Sequence, residues 1–239
     1  RDDEDMVATD FAFLNDAGAR RKLAASLRVA DVDASRYAAV YFVGGKGTMF
    51  DFPGDPGIQR LVRNVYQRGG VIGAVCHGPA ALLDVVLDDG TPLLRGRRVA
   101  AFSNAEELFL IEDARSRFPY LLQDRILQKG GHYVEGPMYL DNTVVDGRIV
   151  TGQNPWSTWS TAEAMVRALG HVPVARAPGR DEQAVQVMAA YYRHGIATAR
   201  EARAALPEAD KRLLLMHALV AAMQGRAGDA WHLQALALG

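Results

Sequence analysis

Residues 71–82 read VIGAVCHGPAAL. The first five are apolar without alternation and follow Gly69 and Gly70, as in a strand buried on both faces of a parallel sheet. The chain then meets Cys76, His77, Gly78 and Pro79, and a helical pattern resumes in AALLDVVL, residues 80–87. Proline suits the first turn of a helix because it has no amide hydrogen to leave unpaired. Cys76 is therefore predicted to stand on a sharp strand-to-helix turn at the carboxyl edge of a sheet, in a sparsely populated backbone region.

The flanking sequence extends this unit. Residues 37–43 (YAAVYFV) form another β-rich apolar run that stops at Gly44 and Gly45 and reads as a central parallel strand. Residues 56–69 place Ile58, Leu61, Val62 and Val65 on one helical face and close at two glycines. Downstream, residues 96–102 (GRRVAAF) predict a strand, and residues 105–129 predict helical material interrupted near Pro119. Residues 142–151 (NTVVDGRIVT) predict two strands joined at Asp146 and Gly147, because Asp-Gly is a strong hairpin signal. A helix follows over residues 160–169. This alternation predicts an α/β domain with a mainly parallel sheet over residues 1–172. Residues 181–194, 207–224 and 229–238 are rich in alanine and leucine with no strand signal, so residues 173–239 are predicted to form a helical extension. The opening stretch to Ser35, with Phe11, Phe13, Leu14, Leu23 and Leu27, suits one or two short helices.

Composition limits the partners. The 239 residues are 49% hydrophobic, enough to fill a core, and 27 Lys plus Arg against 28 Asp plus Glu leave a formal charge of -1. No broad attraction to nucleic acid or a membrane surface follows. No apolar run approaches the roughly 18–20 residues that span a bilayer, and the start lacks a basic end leading into an apolar stretch, so the chain reads as soluble and cytoplasmic. It begins at Arg1 rather than Met, which leaves room for a segment upstream. A single cysteine excludes an internal disulfide and a thiolate metal cluster, leaving either a buried structural thiol or a reactive one.

At the elbow the second reading is favoured. The following helix would present its N-terminal amides and positive dipole end to the Cys76 sulfur and lower its pKa, giving a thiolate at neutral pH. Gly73 and Gly78 allow close backbone approach on either side. The segment GGKGTMFDF, residues 44–52, would lie beside the elbow with several free amides. It fails as a phosphate loop, because Lys46 is followed by Gly47 rather than Ser or Thr. Gly44, Gly45, Lys46 and Gly78 are candidate pocket residues, and the amides of Gly45 and His77 are candidate oxyanion donors. Taken alone, that loop could equally be a plain glycine turn, and Glu106 and Glu107 would be a solvated first helical turn. Trp156 and Trp159 could line a pocket or a dimer contact, with packing the simpler reading.

VIGAVCHGPAAL, with YFVGGKGTMFDFP upstream and VVDGRIVTGQNPWST downstream, resembles the DJ-1/PfpI superfamily and its Hsp31-like branch over residues 31–170. The resemblance implies a flavodoxin-like sandwich in which Cys76 and His77 are completed by an acid in AFSNAEE, with Glu107 the match and Glu106 its neighbour. It also implies strands ahead of the segment matching residue 1, with a pocket glutamate, that this chain lacks. Where the family loop usually reads Gly-His-Gly, this chain has Gly45, Lys46 and Gly47, which places an amine at the pocket mouth. No His-x-Glu tripeptide occurs anywhere, which argues against ammonia transfer from glutamine.

The implied activity is that of a glyoxalase III-like lyase, converting methylglyoxal to lactate without glutathione through a Cys76 hemithioacetal, and needing neither metal nor organic cofactor. One alternative is a stress-related holdase chaperone or redox sensor using Cys76, and another is a cysteine peptidase or amidase. The region around residues 207–224 carries more apolar surface than one helix face needs, so a homodimer is expected.

Overall fold

The computed structural model describes residue 6 and residues 8–239, so the first residues of the domain expected over 1–172 lie outside the described residues. Two short helices lead, α1 (Ala8–Asn15) and α2 (Ala17–Ala24), and the apolar residues that mark them, Phe11, Phe13, Leu14 and Leu23, are exposed. After two single-turn 3-10 segments come β1 (Ala39–Phe42), α3 (Thr48–Asp51), α4 (Pro56–Gln67) and β2 (Val71–Val75). Helix α4 starts where the Asp55 carboxylate accepts the Ile58 amide at 2.8 Å, with Pro56 in the first turn. It buries Ile58, Leu61, Val62 and Val65 in one core with Phe42, Ile72 and Ala74 of the sheet.

Beyond Cys76 the expected helix over residues 80–87 is not formed. A 3-10 segment, Gly78–Leu82, is followed by a reversal in which Leu87 N–H reaches Thr91 C=O at 2.9 Å and Leu93 N–H reaches Val85 C=O at 2.9 Å. The physical reason is burial without a polar face: Ala80, Ala81, Leu82, Leu83 and Val85 all enter the core, and Gly90, at φ 80°, turns the chain back. The next elements are β3 (Arg98–Val99), α5 (Asn104–Leu110), α6 (Ala114–Arg117), α7 (Leu122–Gln128) and β4 (His132–Tyr133). The strand expected over residues 96–102 shortens to β3 because its later donors leave the ladder. Ala100 N–H goes to Thr151 Oγ1 and Phe102 N–H to the Cys76 carbonyl, each at 2.9 Å.

The hairpin appears as β5 (Thr143–Asp146) and β6 (Ile149–Gly152), with Asp146 opposite Ile149 and Gly147 at φ 59° in the tight turn. Among the described residues the main sheet has four strands in the order β1-β2-β6-β5. Its first two pairings are parallel and its last antiparallel. β1, expected to be central, stands at one edge. Helix α8 (Thr158–Ala168) covers the face opposite α4, with Met165 against Val71 and Val150. Gly73 is required there, since a Cβ at that position would overlap Met165 and Tyr41. The result is a three-layer sandwich with a mostly parallel sheet.

The extension follows as α9 (Arg180–His194), α10 (Ile196–Ala205), α11 (Lys211–Met223) and α12 (Ala227–Leu238). Helix α10 was not expected, because it follows Gly195 directly and buries only Ala199. These helices share a core of Ala184, Val187, Met188, Leu214 and Leu233 that also takes in Leu140. Trp156 and Trp159, stacked with ring centres 6.3 Å apart, pack against it. Among the described residues no helix is long and apolar enough to cross a membrane.

His217 of α11 is buried against the edge of Tyr139, and its Nε2 has no hydrogen-bond partner. Burial, aided by Arg226, lowers its pKa to about 4. Between the ordinary value of 6.5 and 4, the unfolded chain takes up a proton that the native protein refuses, so stability falls as pH drops through that window. At about 1.4 kcal/mol per pKa unit, the loss approaches 3 kcal/mol. His217→Leu is expected to lose distinctly less stability than the parent between pH 7 and pH 4.5 in urea titrations, and equal losses would count against this assignment.

Candidate active site

Cys76 leaves β2 with φ at 61°, left-handed backbone that costs a non-glycine residue on the order of 1–3 kcal/mol. This is the strained elbow anticipated from the sequence. Two hydrogen bonds hold it: the Cys76 amide donates to the Gly152 carbonyl, and the Cys76 carbonyl accepts from the Phe102 amide, both at 2.9 Å. The glycine loop presses on the same turn. A Cβ at Gly44 would stand 2.7 Å from Cys76 Cβ and from the Val75 carbonyl oxygen, and one at Gly78 would overlap the Phe42 carbonyl. Thr48 Oγ1 donates to the carbonyls of Gly45 at 2.8 Å and His77 at 3.1 Å, joining the loop to the elbow.

The left-handed turn brings two sequence neighbours together. Cys76 Sγ lies 3.3 Å from His77 Nδ1, and His77 Nε2 lies 2.5 Å from Glu107 Oε2. Both His77 and Glu107 are buried, and the imidazole rests on Phe102 with ring centres 4.6 Å apart. Glu107 stands in the first turn of α5, which Ser103 caps. Glu106, the neighbour left open by the sequence, turns away and accepts from Ser103, Tyr139 and Asn154. Lys46 Nζ comes within 4.0 Å of Glu107 Oε1, an oxygen with no hydrogen-bond partner, while its own side chain is 40% exposed. This places an amine beside the Glu107 carboxylate.

The electrostatics correct one expectation. Cys76 is not held as a thiolate by its surroundings: burial pushes the thiol up to about 12, helped by the charges of Glu106 and Glu107, while the amides of His77 and Gly45 oppose this. The helix whose dipole was to lower it is only the 3-10 segment Gly78–Leu82. The geometry instead allows proton transfer during attack. With Nε2–H donated to Glu107, Nδ1 is free to take the thiol proton, and the carboxylate stabilises the imidazolium formed. The amides of Gly45 and His77, already facing the sulfur, are placed for the oxyanion that follows.

The remaining histidines stand apart. His132 is exposed on β4, and His232 contacts Tyr191 Oη at 3.0 Å within the extension. Among the described residues no group of three or more His, Cys, Asp or Glu side chains could hold a metal ion. Phe102 and Tyr139 were not anticipated here, since nothing in their local sequence marks them. Asn154 lies in TGQNP, a segment whose likeness to the family had drawn attention without giving it a role.

Two outcomes follow from this geometry. Gly44→Ala is expected to cost about 1–3 kcal/mol, the usual penalty of overpacking, and to slow Cys76 labelling, because the added methyl meets backbone rather than a yielding side chain. Iodoacetamide should alkylate Cys76 more slowly in the folded protein than in the urea-unfolded chain at pH 8, with the folded rate climbing steeply above pH 10. Equal rates at pH 8 would contradict the raised thiol.

Comparison with known proteins shows the family to which the chain belongs. The profile of the DJ-1/PfpI family matches residues 15–168. Glyoxalase 3 of Candida albicans is 37% identical over 147 residues, covering 59% of this chain and 61% of that protein. The glutathione-independent glyoxalase HSP31 of Saccharomyces cerevisiae is 34% identical over 181 residues, covering 70% of this chain and 76% of its own length. The crystal structure of glyoxalase III from Candida albicans superimposes with a TM-score of 0.61 at 33% identity, covering 66% of this chain and 67% of that one. Against the other glyoxalases of this group the chain spans 56% of one and 64% of another. A family profile over most of the sandwich, together with a cysteine elbow backed by histidine and glutamate, places the chain in the DJ-1/PfpI family, in its Hsp31-like branch.

Proposed function

We propose that this protein is a cysteine enzyme acting on small reactive carbonyls, and that it converts methylglyoxal to lactate without glutathione. One observation carries the reading: the Cys76 sulfur, on a strained turn, lies 3.3 Å from an imidazole whose far nitrogen lies 2.5 Å from Glu107. The thiol adds to the aldehyde carbon as its proton passes to His77 Nδ1, and the resulting oxyanion forms beside the amides of Gly45 and His77. Protonation of that oxygen gives the hemithioacetal. The former aldehyde hydrogen then leaves as a proton, and one returns to the neighbouring carbon through an enediol-like state, with His77 and Glu107 as the acid/base pair. This isomerisation yields the thioester of lactate, and one water molecule releases the acid and restores the thiol. The similarity to glutathione-independent glyoxalases supports the substrate class. A lone thiol and a substrate that arises in metabolism both suit the cytoplasm.

Incubation with methylglyoxal and no added thiol is expected to produce lactate. Cys76→Ala should abolish turnover, and Glu107→Gln should lower kcat by on the order of 10²–10⁴, the usual contribution of acid/base catalysis. A Cys76→Ala variant as fast as the parent would end this reading.

A second reading, a holdase chaperone, is favoured by one surface. Leu215, Leu219 and Met223 form an exposed stripe along α11, while Leu213 and Leu214 face the core. The redox-sensor form of that alternative is opposed by the raised thiol, since the thiolate is the species oxidised. We assign the stripe to a homodimer contact, expected as a mass near twice 26.0 kDa in light scattering at low micromolar concentration. A monomer that suppresses aggregation of an unfolded client, with Cys76→Ala doing so equally well, would favour the holdase.

A further inference from the structure

Glu106 is fully buried and both its oxygens are satisfied by neutral donors. Oε2 accepts from the Ser103 amide and the Ser103 hydroxyl, each at 3.0 Å, and Oε1 accepts from the Tyr139 amide and from Asn154 Nδ2, each at 2.8 Å. All four contacts are donors, the pattern an ionised carboxylate takes. Tyr139 is bent to fit. Its φ of 55° is left-handed, its amide meets the side chain of Glu106, and its hydroxyl donates to the Glu106 carbonyl at 2.9 Å. Asn154 also donates to the Leu140 carbonyl at 2.8 Å.

These contacts reach in two directions. On one side, Glu106 sits next to Glu107 in the first turn of α5, so the rotation of that turn sets where Glu107 meets His77. On the other, Tyr139 touches His217 of α11 and Leu140 belongs to the core of the extension, which lies beyond the region matched by the family profile. We propose that Glu106 is a positioning residue whose buried carboxylate, clasped by Ser103, Tyr139 and Asn154, holds α5 so that Glu107 meets His77. This rests on Cys76, His77 and Glu107 acting together, not on the identity of the carbonyl substrate.

Glu106→Gln is the discriminating change because it keeps shape and volume. Whichever way the amide turns, its NH2 faces a backbone N–H that an oxygen had accepted, that of Ser103 on one side or of Tyr139 on the other, so the clasp must open on one side. The readout is the downfield proton resonance of the His77 Nε2–H donated to Glu107, recorded on the full chain without substrate and assigned by its loss in Glu107→Gln. The parent is expected to show it, Glu106→Gln to lose it or shift it strongly upfield while staying folded, and Tyr139→Phe to shift it partway. Leu233→Ala, which opens a cavity in the extension core away from the clasp, should lower Tm yet leave the resonance in place.

An unchanged resonance in folded Glu106→Gln would overturn the proposal. If Glu106→Gln does not fold, Asn154→Ala, which removes the Nδ2 donor to Oε1, decides, and an unchanged resonance there overturns it. So would a resonance that moves as far in Leu233→Ala, which would make it a report of general loosening, or one absent from the parent. Methylglyoxal turnover is read separately. No lactate alongside a resonance that depends on Glu106 would remove the carbonyl reading and leave the positioning role standing.

Discussion

The left-handed turn at Cys76 is the constraint on which the site depends. At φ 61° it swings the sulfur back toward the ring of the very next residue, a convergence that extended or helical backbone does not produce. Strain of this kind persists only where neighbours leave the chain no alternative. Here the Gly152 carbonyl holds the amide and the Phe102 amide holds the carbonyl, so strand β6 and the segment leaving β3 grip the elbow from either side. Gly44 and Gly78 then let the first loop close over it without side-chain interference.

Burial gives this site its chemical character. A half-buried sulfur with two carboxylates nearby favours the neutral thiol, so any attack by it calls for a partner that takes the proton. His77 is so placed, and its own charge, once formed, has Glu107 at 2.5 Å. A cation near this group is the half-exposed Lys46, 4.0 Å from the Glu107 oxygen that lacks a hydrogen bond. The resting site thus keeps its thiol uncharged, while the amides of Gly45 and His77 already face the sulfur.

The helical extension bears on the same turn of α5 from outside. Its core includes Leu140, and Tyr139 passes its backbone contacts to Glu106 rather than to another helix. Two adjacent glutamates therefore divide the work: one faces the imidazole, and the other is spent entirely on hydrogen bonds that join three stretches of chain.

The sequence alone determined the parallel strand pair, helix α4, the Asp-Gly hairpin, the helical extension and the strained cysteine elbow, because each is written in local signals: unbroken apolar runs, a 3.6-residue stripe, or a glycine or proline at a turn. The two adjacent glutamates were singled out by the family resemblance alone, since their local sequence reads as a solvated first helical turn. What it did not carry depends on residues far apart in the chain. Only the folded protein decided that residues 80–87 would turn back rather than coil, since the burial of Ala80, Ala81, Leu82, Leu83 and Val85 comes from packing rather than from periodicity. Only it shortened the strand at residues 96–102, by offering Thr151 and the Cys76 carbonyl as competing acceptors. The state of the thiol was likewise undecided by sequence, because desolvation is summed over every neighbour and here outweighs the short 3-10 segment behind it. Between Glu106 and Glu107 the decision lay with α5, whose rotation, set by contacts to Tyr139 and Asn154, turns one carboxylate to the imidazole and the other into the protein.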